Sequence, residues 1–181
     1  ILIDTDGAKR QLNWMPKSEK MFYVQKTDDK SNLMTIDPAT LQEAILAKNI
    51  PDQYIQIAPN GRVLFYSKLE KGEESKSDLK LLKSPEDRQP GYTNRSFIHK
   101  YDLASGLSQQ LTFGSHSTWL NDISPDSKQI LVSFSDEVIT ERPFRKSTML
   151  KLDLATLKAD TLWINQSFVG GASFSPDGKK L

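Results

Sequence analysis

No cysteine occurs in this 181-residue chain, and it has only two histidines, His99 and His116. The first absence excludes disulfides and thiolate metal sites. Two isolated histidines with no spaced carboxylate partner make no imidazole metal site either. No metal or other cofactor is therefore expected. No apolar run approaches the roughly 20 residues that span a bilayer, and no secretory signal stands in this stretch. Lysine and arginine number 24 against 23 aspartates and glutamates, a formal net charge of +1. That balance gives no electrostatic case for nucleic acid or a membrane surface. The glycine-rich phosphate loop is missing, and so is the Gly-x-Ser-x-Gly string of an α/β-hydrolase. Gly114-Ser115-His116-Ser117 comes nearest and lacks the second glycine. No residue of the chain is assigned a catalytic role.

What the chain does contain is a repeat. It reads WMPKSEKM (Trp14 to Met21), IAPNGRVL (Ile57 to Leu64), ISPDSKQI (Ile123 to Ile130) and FSPDGKKL (Phe174 to Leu181). Proline presets φ for the second position of a tight turn, and Asp, Asn or Ser beside it bonds the turn backbone. Gly61 and Gly178 supply the positive φ that closes a bulged hairpin; Ser18 and Ser127 fill that slot less comfortably. The apolar runs that follow, such as Val63 to Tyr66 and Ile130 to Val132, are short and nearly continuous. Strands buried on both faces have that appearance.

A second turn recurs between the prolines: TIDPATL at Asp37, KYDLASG at Asp102 and KLDLATL at Asp153. From these aspartates to the next repeat proline (Pro59, Pro125, Pro176) the distances are 22, 23 and 23 residues. From each proline to the following aspartate they are 21, 43 and 28. Each unit thus has a constant half and a half that accepts insertions. Two hairpins make four strands, and a four-stranded unit of about 40–50 residues is a β-propeller blade. The expectation is all-β: a partial β-propeller of about three complete four-stranded antiparallel blades, roughly 11–54, 55–116 and 117–169. Incomplete blades are expected at both ends, 1–10 and 170–181, with Ile1 to Asp4 as the outer strand of a preceding blade. The whole is one domain and a piece of a larger ring. A β-sandwich is the alternative, but its turns need not copy both motif and spacing. A four-bladed ring would need a fourth blade for which too little sequence remains.

The insertions, about Lys68 to Arg95 and Ser135 to Ser147, emerge on the face that also carries the blade connections. The first holds the pair Glu73 and Glu74; the second mixes Asp136, Glu137, Glu141, Arg142 and Arg145 with Phe144. Such groups suit a charged peptide terminus or a domain interface. A solvated loop and a plain salt-bridged hairpin are the bland alternatives. His99 is expected at the surface, and His116 in a loop, bonding backbone. Trp14, Trp119 and Trp163 are expected in core or inter-blade packing. Gly170-Gly171 is expected where blades pack closely.

The string SPDGKKL, with ISPDSK and APNGR as variants, resembles the propeller repeat of TolB. It is equally similar to repeats in the N-terminal domains of the dipeptidyl-peptidase and prolyl-oligopeptidase family, and the long insertions favour the latter. That resemblance implies a non-catalytic propeller of an exported serine peptidase, periplasmic or extracellular. It would gate or bind a peptide substrate and cap an α/β-hydrolase domain of the parent chain. The TolB likeness implies instead a protein-binding scaffold of the cell envelope. A glycan-degrading enzyme working in its own channel is a third reading, disfavoured by the sparse histidines. Exposed blade edges make self-association a further expectation.

Overall fold

The computed structural model describes residues 7–28, 30–72, 92–137, 145–165 and 171–181. Among them run twelve strands in three separate four-stranded sheets. The first sheet holds β1 (Ala8–Trp14), β2 (Met21–Thr27), β3 (Lys30–Ile36) and β4 (Glu43–Ile50). The second holds β5 (Ile55–Ile57), β6 (Val63–Glu70), β7 (Arg95–Asp102) and β8 (Ser108–Gln110). The third holds β9 (Thr118–Ile123), β10 (Gln129–Glu137), β11 (Arg145–Asp153) and β12 (Ala159–Asn165). Each sheet is a meander in chain order with every pairing antiparallel. These are propeller blades, and the molecule is a partial β-propeller. The expected strand Ile1 to Asp4 lies outside the described residues.

Both turn types are set by hydrogen bonds that the sequence motif supplies. In all four proline turns the residue before proline donates its N–H five residues ahead and accepts from the residue three ahead. The pairs are Met15 with Lys20 and Ser18, Ala58 with Val63 and Gly61, Ser124 with Gln129 and Ser127, and Ser175 with Lys180 and Gly178. Gly61, Ser127 and Gly178 take φ of 69°, 59° and 70°. The first turn differs: its left-handed residue is Lys17, at φ 55°, not Ser18. Moving the positive φ one place forward is what a type II turn demands. The same hydrogen-bond frame survives without a glycine.

In the second turn type one carboxylate oxygen replaces several missing partners. Asp37 Oδ1 accepts from the N–H groups of Ala39 and Thr40, Asp102 Oδ1 from Ala104 and Ser105, and Asp153 Oδ1 from Ala155 and Thr156. The hydroxyls of Ser105 and Thr156 add a third donor at 2.8 and 2.9 Å. These donors hold all three carboxyls below their ordinary range, led by the N–H of Ala39 for Asp37, of Ser105 for Asp102 and of Thr156 for Asp153.

The proline turns also rest on one another. Met15 Cε lies 3.5 Å from where a Cβ on Gly61 would stand, Asn60 N–H donates to Ser127 Oγ at 3.0 Å, and Pro125 Cδ lies 3.5 Å from the equivalent point on Gly178. Within a blade the two turns are tied as well, by Leu103 N–H to Arg62 O and Leu154 N–H to Lys128 O, at 3.0 and 2.9 Å.

Blades pack face to face through two cores. Phe22, Val24, Leu33, Ala47 and Ile50 of the first blade meet Ile55, Leu64, Tyr66 and Tyr101 of the second. From the opposite face of the second blade, Ala58, Phe65, Ile98 and Leu111 meet Ile130, Val132 and Leu152 of the third. Leu64 and Phe65 are adjacent and both fully buried, one toward each neighbour. That is why the apolar runs do not alternate with polar residues. The first core is closed at its edge by a small polar link, in which Gln11 pairs its side-chain amide with the N–H and C=O of Ile55, both at 3.3 Å. Nearby, Asp52 gathers Arg10, Lys26 (2.6 Å) and Ser31 (3.1 Å). The Lys26 bond, with Ser31 and Arg10 after it, holds the Asp52 carboxyl below its ordinary range.

Several expectations need correction. The ladders run further into the insertions than the composition suggested. Lys68, Leu69 and Glu70 still pair with Phe97, Ser96 and Arg95, and Ser135, Asp136 and Glu137 pair with Ser147, Lys146 and Arg145. Polar residues are tolerated there because the hydrogen-bond ladder, not burial, holds these strand ends. Trp14 and Trp119 are 58% and 51% exposed rather than packed between blades; both sit on the first strand of a blade, with one face open. Trp163 is half-buried beside Met149. Gly171 has only Asn121 Nδ2 near its missing Cβ, at 3.7 Å, so close packing does not explain it; Gly170 lies outside the described residues.

His99 is also misjudged by the sequence, being buried at 7% exposure. It pairs with Tyr66 across β6 and β7, and their rings stack with centroids 5.2 Å apart. Among the described residues its buried Nε2 has no hydrogen-bond partner. Burial, helped by the charge of Lys68 and opposed by Glu70, lowers its pKa below the ordinary 6.5. The unfolded chain therefore takes up this proton at a higher pH than the folded one. Between those two values the unfolded state binds more protons, so stability falls as pH falls, and the loss is complete below the folded pKa. The turn aspartates add a second decline at lower pH, below their ordinary 3.8, as the folded carboxylates protonate. Urea melts from pH 7.5 to 3 should show both slopes, and His99→Phe should remove only the first. An unchanged upper slope in His99→Phe would refute the assignment.

Candidate ligand cleft

In each blade the proline and aspartate turns share one end, so the connections between second and third strands share the other with the links between blades. This second end carries the chemistry. Between the second and third blades it opens into a cavity of about 650 Å³. Its walls come from Tyr92 and Asn94 ahead of β7 and Arg95 at its start, the blade link (Ser115, His116, Ser117), Trp119 on β9, and the facing ends of β10 and β11. The latter contribute Ser135, Asp136, Arg145 and Lys146. Long strands position these groups: the β10–β11 ladder delivers Asp136 opposite Lys146, and β7 delivers Arg95 opposite Glu70.

The blade link is held by side chains. Arg95 Nε donates to the carbonyl of Ser115, and its Nη1 to the carbonyls of Tyr92 (2.5 Å) and Asn94 (2.8 Å). The guanidinium also lies 5.7 Å from the centroid of the Tyr92 ring, a cation–π distance. Ser117 Oγ accepts from the N–H of Ser96 at 3.0 Å. Deeper, Thr112 Oγ1 accepts from the N–H of Ile98 at 2.9 Å and shares a 2.6 Å hydrogen bond with Thr118 Oγ1.

His116 was expected to bond backbone, and instead it bonds two side chains. Its Nε2 lies 2.5 Å from Asp136 Oδ1, its Nδ1 3.1 Å from Ser115 Oγ, and its ring stacks on Phe134 at 5.2 Å. Serine, histidine and aspartate in contact invite a nucleophilic reading. The geometry argues for a clamp, because Ser115 and His116 are chain neighbours and the His116 and Asp136 side chains are each 42% exposed. Acyl transfer draws its rate from oxyanion donors in a water-excluded site, and among the described residues this pair stands on an open wall. The contact ties the blade link to the third blade.

Of the residues singled out in the sequence, Arg145 lines this cavity. Glu73, Glu74, Glu141 and Arg142 lie outside the described residues. Sequence reasoning passed over Arg95, Tyr92 and the His116–Asp136 pair. The Tyr-Thr-Asn-Arg stretch ahead of a strand is a weak signal, and the pair spans 20 residues that only the sheet brings together. Among the described residues no cluster of three His, Cys, Asp or Glu side chains is placed to hold a metal ion. No helix there is long and apolar enough to cross a membrane.

No protein-family model matches the chain. No curated protein matches it either. Solved structures do. TolB from Acinetobacter baumannii aligns with 98% of this chain and 38% of its own, at a TM-score of 0.54 and 15% identity. Acylaminoacyl peptidase from Pyrococcus horikoshii aligns over 86% of this chain and 25% of its own, with a TM-score of 0.56 and 12% identity. For oligogalacturonate lyase from Vibrio parahaemolyticus the shares are 97% and 46%, the TM-score 0.57 and the identity 14%. At such identities the likeness is one of fold: this is the propeller architecture of TolB and of the peptidase group. The chain spans less than half the length of each.

Proposed function

We propose that the chain is a non-catalytic part of the propeller of an exported serine peptidase, and that its cleft receives or gates the peptide substrate. The observation that carries this is the cleft itself, a polar and aromatic cavity at the end from which connections 71–94 and 138–144 spring. On this reading Glu73, Glu74, Glu141, Arg142 and Arg145 are substrate- or partner-binding residues. The hydrolase domain of the parent protein would sit over the same end, in the periplasm or outside the cell. A TolB-like scaffold that binds envelope proteins is the rival, favoured by the 98% coverage of this chain in the match to TolB. Labelling the intact parent protein with a fluorophosphonate, alongside hydrolysis of short peptide anilides, separates the two. The expected result is a labelled serine and peptide cleavage. A parent protein that takes no label and cleaves nothing would leave the scaffold reading in its place.

A further inference from the structure

Arg95 is a cation that its surroundings orient without neutralising. Nε and Nη1 are spent on three carbonyl oxygens, of Ser115, Tyr92 and Asn94. Among the described residues no carboxylate pairs with it, and its Nη2 makes no hydrogen bond there. Asp136, the acid on the cavity wall, is engaged by His116 at 2.5 Å. Arg145 and Lys146 line the same cavity, so its described wall carries three basic side chains and this one acid. The exposed Trp119 ring and Tyr92 add apolar surface beside the charge. With Nε and Nη1 held by those carbonyls, Nη2 is aimed without further loss of rotamer freedom, and a carboxylate oxygen is a strong acceptor for such a charged donor. The cavity, about 650 Å³, is the size that takes a small ligand or a few peptide residues.

We propose that this cleft recognises a carboxylate on a peptide, with Arg95 as the anchor and Trp119 beside it as a packing wall. The proposal rests on the cleft being a peptide site and adds the chemical class it selects. The carboxylate is either the free C-terminus or an acidic side chain.

The test is calorimetric titration of the intact protein with three short peptides of one sequence. One has a free C-terminal carboxylate, one a C-terminal amide, and one the amide plus an internal glutamate. The free acid should bind about tenfold or more tightly than the plain amide, the ratio expected when a charge-assisted hydrogen bond is lost. Recovery of binding in the glutamate peptide would identify the side chain as the source, and its failure to recover would identify the C-terminus. Arg95→Lys keeps the charge and loses the carbonyl contacts that aim it, so it should weaken the acid peptide about tenfold while leaving the amide unchanged. Three peptides of equal affinity, or an unaltered acid peptide in Arg95→Lys, would overturn carboxylate selection and leave peptide binding standing. If no peptide binds at all, both readings fall. Should Arg95→Lys fold poorly, the acid and amide comparison on the unmodified protein decides alone.

Discussion

Phe65→Ala is expected to cost about 3–5 kcal/mol, the range for truncating a fully buried aromatic side chain. Phe65 has no exposed surface and sits in the core shared by the second and third blades, among Ala58, Ile98, Leu111, Ile130, Val132 and Leu152. Its backbone is fixed in the middle of β6, paired with Gln56 on one side and Lys100 on the other, so little collapse into the void is available. Domains of this size are stable by only about 5–15 kcal/mol, so the loss is a large fraction of the total. In hydrogen exchange the third blade should open first, since this core is what joins it to the second. Trp14→Ala, at a side chain 58% exposed, is the control and should shift stability by less than about 1 kcal/mol. Equal urea midpoints for the two variants would contradict the account of how blades are held together.

The second large effect is expected at a single hydroxyl. Thr112→Val keeps shape and volume but leaves the N–H of Ile98 with no acceptor at a buried position. It also strands Thr118 Oγ1, whose remaining contact is a 3.4 Å bond to Ser96 O. An orphaned buried donor costs about 1–3 kcal/mol, well above the net value of an ordinary hydrogen bond. Thr118→Val alone should cost less, because Ile98 keeps its partner. The double variant should be less destabilised than the sum of the two, with a coupling of about 0.5–1 kcal/mol or more in a double-mutant cycle. Strict additivity would mean that the two hydroxyls do not act as one bridge between blades.

The parts of this fold that could be read from the chain are those coded locally. A proline with Gly, Asn or Asp near it, and an Asp followed by Ala-Thr or Ala-Ser, each prescribe a turn whose hydrogen bonds close within six residues. The constant spacing between them marks the outer strand, the blade link and the next inner strand. What could not be read depends on which face a residue takes. In blades buried on both sides the alternation that normally reveals facing is erased, so His99 looked superficial and the tryptophans looked internal. The cleft was less legible still, because Arg95, His116 and Asp136 meet only through the β6–β7 and β10–β11 ladders. Arg145 could be singled out because it stands in a charged cluster. Arg95, which stands alone in an unremarkable stretch, could not.

The contacts among the proline turns carry a further consequence for how the molecule can change. Because each proline turn touches the next, the rim they form behaves as a row of coupled neighbours. The opposite end is held by side chains on the blade links, such as Asp52, Ser117 and His116, and its connections run from two residues between β2 and β3 to 24 between β6 and β7. Insertions at that end leave the contacts among the proline turns in place. That end can take connections of different length while the rim keeps the described blades in register.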